Sequence, residues 1–186
     1  MLARLKREIT AKMEKLIKRE KIYKGKAVDF YKDEVSLPNG RTAVREYLGH
    51  PGAAAVLPFL DRRNMILVKQ YRYPIGKYTY EIPAGKLDKN ESPVQCVQRE
   101  LEEETGYKAR RIEKMLDFYP STAFSNEILY IFAAFGLEKG NCRPDEDEFV
   151  STVIFDFKKA VNMMKSGEIM DSKTVIALLY FDNILK

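Results

Sequence analysis

The sequence predicts an α/β protein in which helices cover a mixed β-sheet, preceded by a small N-terminal subdomain of one helix and a β-hairpin. Strand-like runs outnumber helical patterns, and the two types do not alternate regularly, which disfavours a doubly wound parallel sheet. The 186 residues are 45% hydrophobic and 32% charged. That balance is typical of a folded chain with one full core.

The N-terminal segment predicts an amphipathic helix over residues 2–20, because apolar side chains recur there at helical spacing. The apolar positions are Leu2, Leu5, Ile9, Met13 and Leu16. Residues 1–26 carry ten lysines and arginines against three glutamates, a net of +7 in a chain whose formal charge is +5. Such a helix packs its apolar stripe on its own domain or a partner subunit, or it binds nucleic acid or an anionic membrane.

Two strand-like runs, KAVDFYKDEVSL and RTAVREYL, flank the turn signal Pro38-Asn39-Gly40 and predict a β-hairpin. With the first helix, this hairpin defines a subdomain over residues 1–50. Residues 51–186 then form the main domain.

The main domain begins with three further strand-like runs, AAAVLPFL, NMILVKQYRY and YTYEIPAG. Three more follow its central helix: RIEKMLDFY, EILYIFAAFGL and EFVSTVIFDF. Helices over residues 158–166 and 172–184 close the chain, and Asp171 is a suitable N-cap for the second.

The central helix has clear start and stop signals. Ser92 predicts the N-cap, Pro93 suits the first turn, and Gln95 completes a capping box with Ser92. Gly106 predicts a left-handed end to the helix. The expected buried stripe consists of Val94, Val97 and Leu101.

This helix concentrates negative charge. At 100° per residue, Glu100, Glu103 and Glu104 lie together beside the buried stripe, whereas Glu102 falls on the opposite side next to Arg99. Like charges one turn apart cost about 0.2–0.5 kcal/mol each, and more beside a core. Raised pKa values, nearby arginines or lysines, or a bound divalent cation are three ways to compensate. Ligands that are all oxygen favour Mg²⁺ or Mn²⁺.

Several classes of chemistry are excluded by composition. His50 is the only histidine, so histidine-based triads and multi-histidine metal sites are ruled out. Cys96 and Cys142 lie far apart, which argues against a zinc site or a disulfide framework. No apolar run is long enough to span a bilayer and no secretory signal is evident, so we expect a cytoplasmic protein.

Residues 85–107 closely resemble the Nudix box. The matching positions are Gly85, Glu91, Arg99, Glu100, Leu101, Glu103, Glu104 and Gly106. Resemblance to the Nudix hydrolase family implies a Nudix-type α/β/α sandwich. It also implies hydrolysis of a nucleoside diphosphate linked to another group, with Mg²⁺ (Mn²⁺ as an alternative) as cofactor.

The resemblance also implies roles for individual residues. Glu100 and Glu104 would be metal ligands, Glu103 would contribute directly or through water, and the Ala84 carbonyl would add a ligand. The structural positions of the box would be Gly85, Glu91, Arg99 and Gly106. In the acidic loop RPDEDEFV, Glu148 is the first choice for the general base and Glu146 the second.

Outside the box, the stretches REYLGHPGAAAVLP, VKQYRYP and YEIPAGKLD resemble the ADP-ribose pyrophosphatase branch. Members of this branch form homodimers. That similarity implies AMP and ribose 5-phosphate as products, and residues 1–50 as a dimerisation region that completes the substrate pocket. It implies substrate-binding roles for Arg72, Arg45 and Glu81. The candidates for stacking on adenine are Tyr23, Tyr31, Tyr47 and Tyr71.

One departure leaves the substrate open. Relatives of this branch read Ser-Pro-Gly where this chain has Ser121-Thr122-Ala123. Hydrolysis of another nucleoside diphosphate-sugar is therefore an alternative to ADP-ribose. A catalytically silent nucleotide sensor and an RNA-binding role through the basic first helix are further alternatives.

Overall fold

The computed structural model describes residues 13–140 and 149–185, which fall into two compact units. The first unit contains the chain up to His50 together with Ser121–Glu127. The second contains Pro51–Pro120 and the chain from Ile128 onward.

The first unit is an antiparallel sheet of three strands in the order β1-β2-β3, with β1 at Lys15–Lys24, β2 at Asp29–Ser36 and β3 at Thr42–Gly49. The helix predicted over residues 2–20 is therefore wrong from Lys15 onward, and its residues 1–12 lie outside the described part of the chain. Cross-strand ion pairs explain the strand: Arg19 Nη2 lies 2.7 Å from an oxygen of Asp33, and Lys21 Nζ lies 2.5 Å from Asp29. These pairs require the alternating side-chain directions of a strand.

The predicted hairpin between β2 and β3 is confirmed. Gly40 has the positive φ of 83° that the turn requires. The Asn39 side chain accepts a hydrogen bond from the Arg41 amide at 3.1 Å. Across the hairpin, Tyr31 and Tyr47 pair in register and their rings stack with centroids 5.4 Å apart.

The second unit contains a mixed four-stranded sheet in the order β7-β4-β9-β8, in which β4 and β9 are parallel. Its strands are β4 at Ala53–Pro58, β7 at Ala84–Lys86, β8 at Tyr107–Phe118 and β9 at Leu129–Lys139. An antiparallel sheet in the order β10-β5-β6 joins β5 at Asn64–Arg72, β6 at Lys77–Glu81 and β10 at Ser151–Asp156.

The single strand predicted for YTYEIPAG is divided between these two sheets. β6 ends at Glu81, β7 begins at Ala84, and Pro83 lies between them. Proline has no amide hydrogen for a sheet ladder, and the Ile82 amide donates instead to the Thr174 hydroxyl at 2.9 Å. The break brings the start of the Nudix-like box onto the mixed sheet.

Within residues 13–140 and 149–185, the α-helices that cover the strands are α1 at Pro93–Thr105, α2 at Phe157–Lys165 and α3 at Ser172–Tyr180. The predicted final helix is α-helical only to Tyr180 and continues as a π-helix at Phe181–Leu185. α1 packs through Cys96, Val97 and Leu101 against one cluster of buried residues that includes β4 and β9. α2 and α3 belong to the other cluster, so the predicted mixed α/β fold is confirmed. No helix in the described residues is long and apolar enough to cross a bilayer.

Candidate active site

Helix α1 is fixed at both ends as its sequence predicts. The Ser92 hydroxyl accepts from the Gln95 amide, and the Gln95 side chain accepts from the Ser92 amide at 2.9 Å. Gly106 adopts φ 71°, and its amide donates to the Glu102 carbonyl at 2.8 Å. Val94 was expected in the buried stripe, but it is 43% exposed. Cys96 is fully buried there instead, together with Val97 and Leu101.

Glu100 lies directly against the backbone of Gly85. A Cβ atom built at position 85 would be only 1.6 Å from the Oε1 atom of Glu100. Glycine is therefore required here by the close approach of the helix side chain to strand β7. This contact places one buried carboxylate of α1 at the start of the box.

Glu104, one turn further along α1, reaches the same strand. It is only 4% exposed, and its Oε2 atom accepts a hydrogen bond from the Ala84 amide at 3.1 Å. Two carboxylates of the helix thus lie beside two consecutive backbone units, Ala84 and Gly85.

Arg99 is the cation that compensates the crowded carboxylates. Its Nε and Nη2 atoms donate to the two oxygens of Glu91 at 2.9 and 3.0 Å. Its Nη1 atom donates to Glu100 at 2.6 Å and to Glu103 at 3.0 Å. Hydrogen bonds from Arg99 lower the pKa of Glu91, so this carboxylate stays ionised. Arg99 also joins the loop before α1 to the acidic face of the helix.

The predicted proximity of Glu102 to Arg99 does not lead to a pair between them. Glu102 instead lies 3.1 Å from the Lys108 ammonium group, and Arg99 is directed to the buried side of the helix. The loop residue Glu91 accounts for the difference, because it draws the guanidinium toward strand β7.

A second group of charges lies on strands β5 and β6 and at the start of α3. Arg72 donates from Nε and Nη2 to the two oxygens of Glu81 at 2.8 and 2.6 Å. Lys173 donates to Glu81 and, at 2.9 Å, to Asp171. Burial raises the pKa of Glu81, but Arg72 and Lys173 outweigh it and hold the value at about 2. Sequence reasoning missed Lys173, because no local pattern connects it with Glu81.

These charges border a cavity of about 660 Å³. Arg72, Glu81 and Asp171 line it together with apolar side chains that include Ile75, Tyr78 and Met170. The pKa of Arg72 is raised by its hydrogen bonds to Glu81 and further by the charges of Asp171 and Glu104. Arg72 therefore lies within electrostatic range of the acidic face of α1.

The NUDIX domain family model matches residues 49–178. The chain belongs to this family. An ADP-ribose pyrophosphatase of Bacillus subtilis is 44% identical over 169 residues, covering 90% of this chain and 91% of that protein. A methanol dehydrogenase activator of Bacillus methanolicus has the same identity and the same coverage of both chains. A crystal structure of an ADP compounds hydrolase superposes with a TM-score of 0.81 at 20% identity, covering 92% of this chain and 94% of that one.

The resemblance to Nudix hydrolases predicted from the sequence is confirmed, and the protein is a Nudix hydrolase. Members of this family generally depend on a divalent metal ion. The solved structure supports the Nudix fold of this chain, including its mixed α/β arrangement.

The Glu100, Glu103 and Glu104 side chains and the Ala84 carbonyl offer only oxygen atoms, which are the ligands that a hard divalent ion prefers. In residues 13–140 and 149–185, no three acidic, histidine or cysteine side chains are already grouped as metal ligands. Glu104 is bonded to the Ala84 amide, whereas Glu100 and Glu103 are bonded to Arg99.

The remaining residues predicted for the site either lie outside the described part of the chain or contact residues other than the α1 carboxylates. Glu146 and Glu148 lie outside the described residues. Arg45, on β3 of the first unit, forms an ion pair with Glu14, and its Nε lies 2.9 Å from Glu14 Oε2. Among the tyrosines considered for stacking, Tyr71 contacts Tyr78 edge-on with centroids 5.4 Å apart.

Proposed function

We propose that this Nudix hydrolase cleaves the pyrophosphate of ADP-ribose to AMP and ribose 5-phosphate. The observation that carries the proposal is the convergence of Glu100 and Glu104 on the Ala84–Gly85 backbone. A relative named ADP-ribose pyrophosphatase, which is 44% identical over 90% of the chain, supports the choice of substrate.

Glu100, Glu103 and Glu104, with the Ala84 carbonyl, are the residues that would hold Mg²⁺, or Mn²⁺ in its place. When bound, such an ion neutralises charge on the diphosphate and acidifies the attacking water. Arg99 holds Glu100 and Glu103 on one side of the helix, and Glu91 holds Arg99 in turn.

The chain's own residues would bind the substrate and move the proton. Arg72 is proposed to contact an anionic oxygen of the diphosphate, because a guanidinium matches such oxygens. Glu81 orients Arg72 through two hydrogen bonds. Glu148, or Glu146 in its place, is proposed to accept the proton of the attacking water, with Glu103 assisting.

We also propose a cytoplasmic homodimer in which residues 1–50 mediate dimerisation and contribute to the substrate pocket, whereas residues 51–186 carry catalysis. Strand β1 supports this role, since all ten of its residues are exposed. Its exposed apolar side chains include Leu16, Ile17 and Ile22. Arg45 would act in substrate binding from this region.

The alternatives differ in how well the structure supports them. A different nucleoside diphosphate-sugar is the second candidate substrate, because the chain has Ser121-Thr122-Ala123 in place of the usual Ser-Pro-Gly. A silent sensor is disfavoured, because the complete set of Glu100, Glu103 and Glu104 is costly for a protein that only binds nucleotide. RNA binding is disfavoured, because Arg19 and Lys21 of β1 are already paired with carboxylates.

Product analysis after reaction of ADP-ribose in ¹⁸O-labelled water tests the proposal. The expected products are AMP and ribose 5-phosphate in equal amounts, with the label on only one of them. GDP-mannose and other nucleoside diphosphate-sugars serve as competing substrates in parallel reactions. Preferential hydrolysis of one of these, or no hydrolysis at all, would contradict the assignment of ADP-ribose.

A further inference from the structure

Lys173 is largely buried in an ion-pair cluster, although α3 contributes nothing to the Nudix box. Its side chain is 12% exposed, and its ammonium group donates to Glu81 and, at 2.9 Å, to Asp171. Lysine is rarely buried unless its charge is paired. The two carboxylates therefore replace water as the partners of this ammonium group.

Glu81 is the centre of this cluster and is 1% exposed. Its Oε1 atom accepts from Arg72 Nε at 2.8 Å and from the Thr79 hydroxyl. Its Oε2 atom accepts from Arg72 Nη2 at 2.6 Å and from Lys173. Because Lys173 and Thr79 anchor the carboxylate, its plane is fixed, and the bidentate pair then fixes the plane of the Arg72 guanidinium.

The backbone that carries Lys173 is itself attached to the end of β6. The Thr174 hydroxyl donates to Asp171 at 2.6 Å and accepts from the Ile82 amide at 2.9 Å. Asp171 also caps α3 by accepting from the Thr174 amide at 3.0 Å. Lys173 therefore has a defined position relative to Glu81, one residue before Ile82.

Arg72 keeps donor capacity for a ligand. Its side chain is 44% exposed and lines the cavity of about 660 Å³. In the part of the chain that the structure describes, its Nε and Nη2 atoms are bonded to Glu81, and no acceptor is bonded to Nη1. Among the described residues, three of the five N–H bonds of the guanidinium, including both on Nη1, therefore remain available to a ligand.

The charges of the cluster balance only when Lys173 is present. Arg72 and Lys173 supply two positive charges, and Glu81 and Asp171 supply two negative ones. Without Lys173 the cluster would carry a net negative charge next to an anionic diphosphate, and Glu81 would cancel the attraction of Arg72. Like charges close to one another in a partly buried site repel strongly.

We propose that Lys173 is a positioning residue for substrate binding: it anchors Glu81 and offsets its charge, so that Arg72 offers Nη1 to an oxygen of the diphosphate. The inference rests on the proposed function and adds to it a residue distant in sequence from the box. Lys173 itself does not touch the substrate and takes no part in proton transfer.

The test compares Lys173→Met, Lys173→Arg and the control Lys158→Met, which removes an exposed lysine of α2. Lys173→Met is expected to raise KM for ADP-ribose about tenfold, because the loss of one charge-assisted hydrogen bond weakens binding by about this factor. The kcat should stay within about threefold of wild type. Lys173→Arg keeps the charge and should restore KM to within about threefold. Lys158→Met should match wild type in both parameters.

Several outcomes would overturn the inference. They include an unchanged KM for Lys173→Met, or a loss of kcat and thermal stability with KM unchanged, since a purely structural role gives that pattern. If Lys173→Met does not fold, Asp171→Asn replaces it as the test. This variant keeps a helix-capping side chain, makes the cluster net positive and should lower KM. An unchanged or higher KM would then overturn the inference.

Failure of the proposed function would be distinguishable from failure of this inference. If the wild-type protein does not hydrolyse ADP-ribose, the function is wrong, and calorimetric binding of inorganic pyrophosphate takes the place of KM. Binding about tenfold weaker in Lys173→Met than in wild type would still support the role of Lys173. Equal binding would overturn it.

Discussion

Alanine at position 85 would place a methyl group 1.6 Å from the Oε1 atom of Glu100. Ordinary van der Waals contact begins at 3.4 Å, so the carboxylate has to retreat by 1.8 Å, the difference between these distances. The Glu100 Cδ and Cγ atoms would be 2.0 and 2.7 Å away, so rotation of the carboxylate alone does not relieve the clash. The whole side chain has to move off strand β7.

The expected loss of activity follows from this displacement. Misplacement of a catalytic group by about 1 Å can reduce the rate by about 10²-fold. We therefore expect Gly85→Ala to lower kcat for ADP-ribose by at least about 10²-fold. The stability cost should be about 1–3 kcal/mol, because the methyl group overpacks a buried contact.

A double variant separates the clash from the lost ligand. In Gly85→Ala combined with Glu100→Ala, the methyl group has room, so the free energy of unfolding should return to that of Glu100→Ala alone. Activity should stay low, since Glu100 is absent. Urea unfolding and steady-state turnover measure the two quantities. Near-normal kcat in the folded Gly85→Ala protein would refute the placement of Glu100 in the metal site.

Three further predictions concern carboxylates. Glu104→Gln removes a proposed metal ligand and should lower turnover at least about 10²-fold in a folded protein; near-normal turnover would remove Glu104 from the site. Glu148→Gln should depress kcat more than it changes KM. The parallel variant Glu146→Gln tests the second choice, and an unchanged rate for Glu148→Gln would move the base to Glu146 or away from this loop. The pKa of Glu81 is lowered from 4.5 to about 2. Ionised Glu81 therefore adds about 3 kcal/mol to the free energy of unfolding above pH ~4.5, and this stabilisation is lost as the pH falls toward 2. Between pH 5 and 2, urea unfolding should therefore lose more free energy in wild type than in Glu81→Gln, and parallel pH profiles would contradict this.

The parts of the fold that local chemistry determines could be predicted. The ends of α1 follow from Ser92, Gln95 and Gly106, whose backbone and side-chain preferences act within one turn. The hairpin at Gly40 follows for the same reason. No neighbouring strand has to be known for either element.

The sequence-based predictions were wrong where contacts between residues far apart in the sequence determine the secondary structure. The spacing from Leu2 to Leu16 favours a helix, yet Arg19 and Lys21 pair with aspartates of β2 and stabilise a strand. Local pattern gives no sign of these cross-strand partners. Over Lys15–Lys24, pairing between segments therefore outweighed helical periodicity.

The same limit applies to the candidate site. Its glutamates could be placed on one face of α1 from the helical period alone. Arg99 and Glu91, which are joined by hydrogen bonds, are both positions of the box, whereas Lys173 lies 92 positions from Glu81 in sequence. Only the packing of α3 against the end of β6 brings those two together.

The most direct measurement is ADP-ribose turnover by protein freed of metal with a chelator and then titrated with Mg²⁺. Wild type should be inactive without the ion and should form AMP and ribose 5-phosphate in equal amounts as Mg²⁺ is added. Glu100→Gln should need a higher Mg²⁺ concentration and reach a lower rate. Turnover that the chelator leaves unchanged would contradict the assignment of the α1 carboxylates as a metal site.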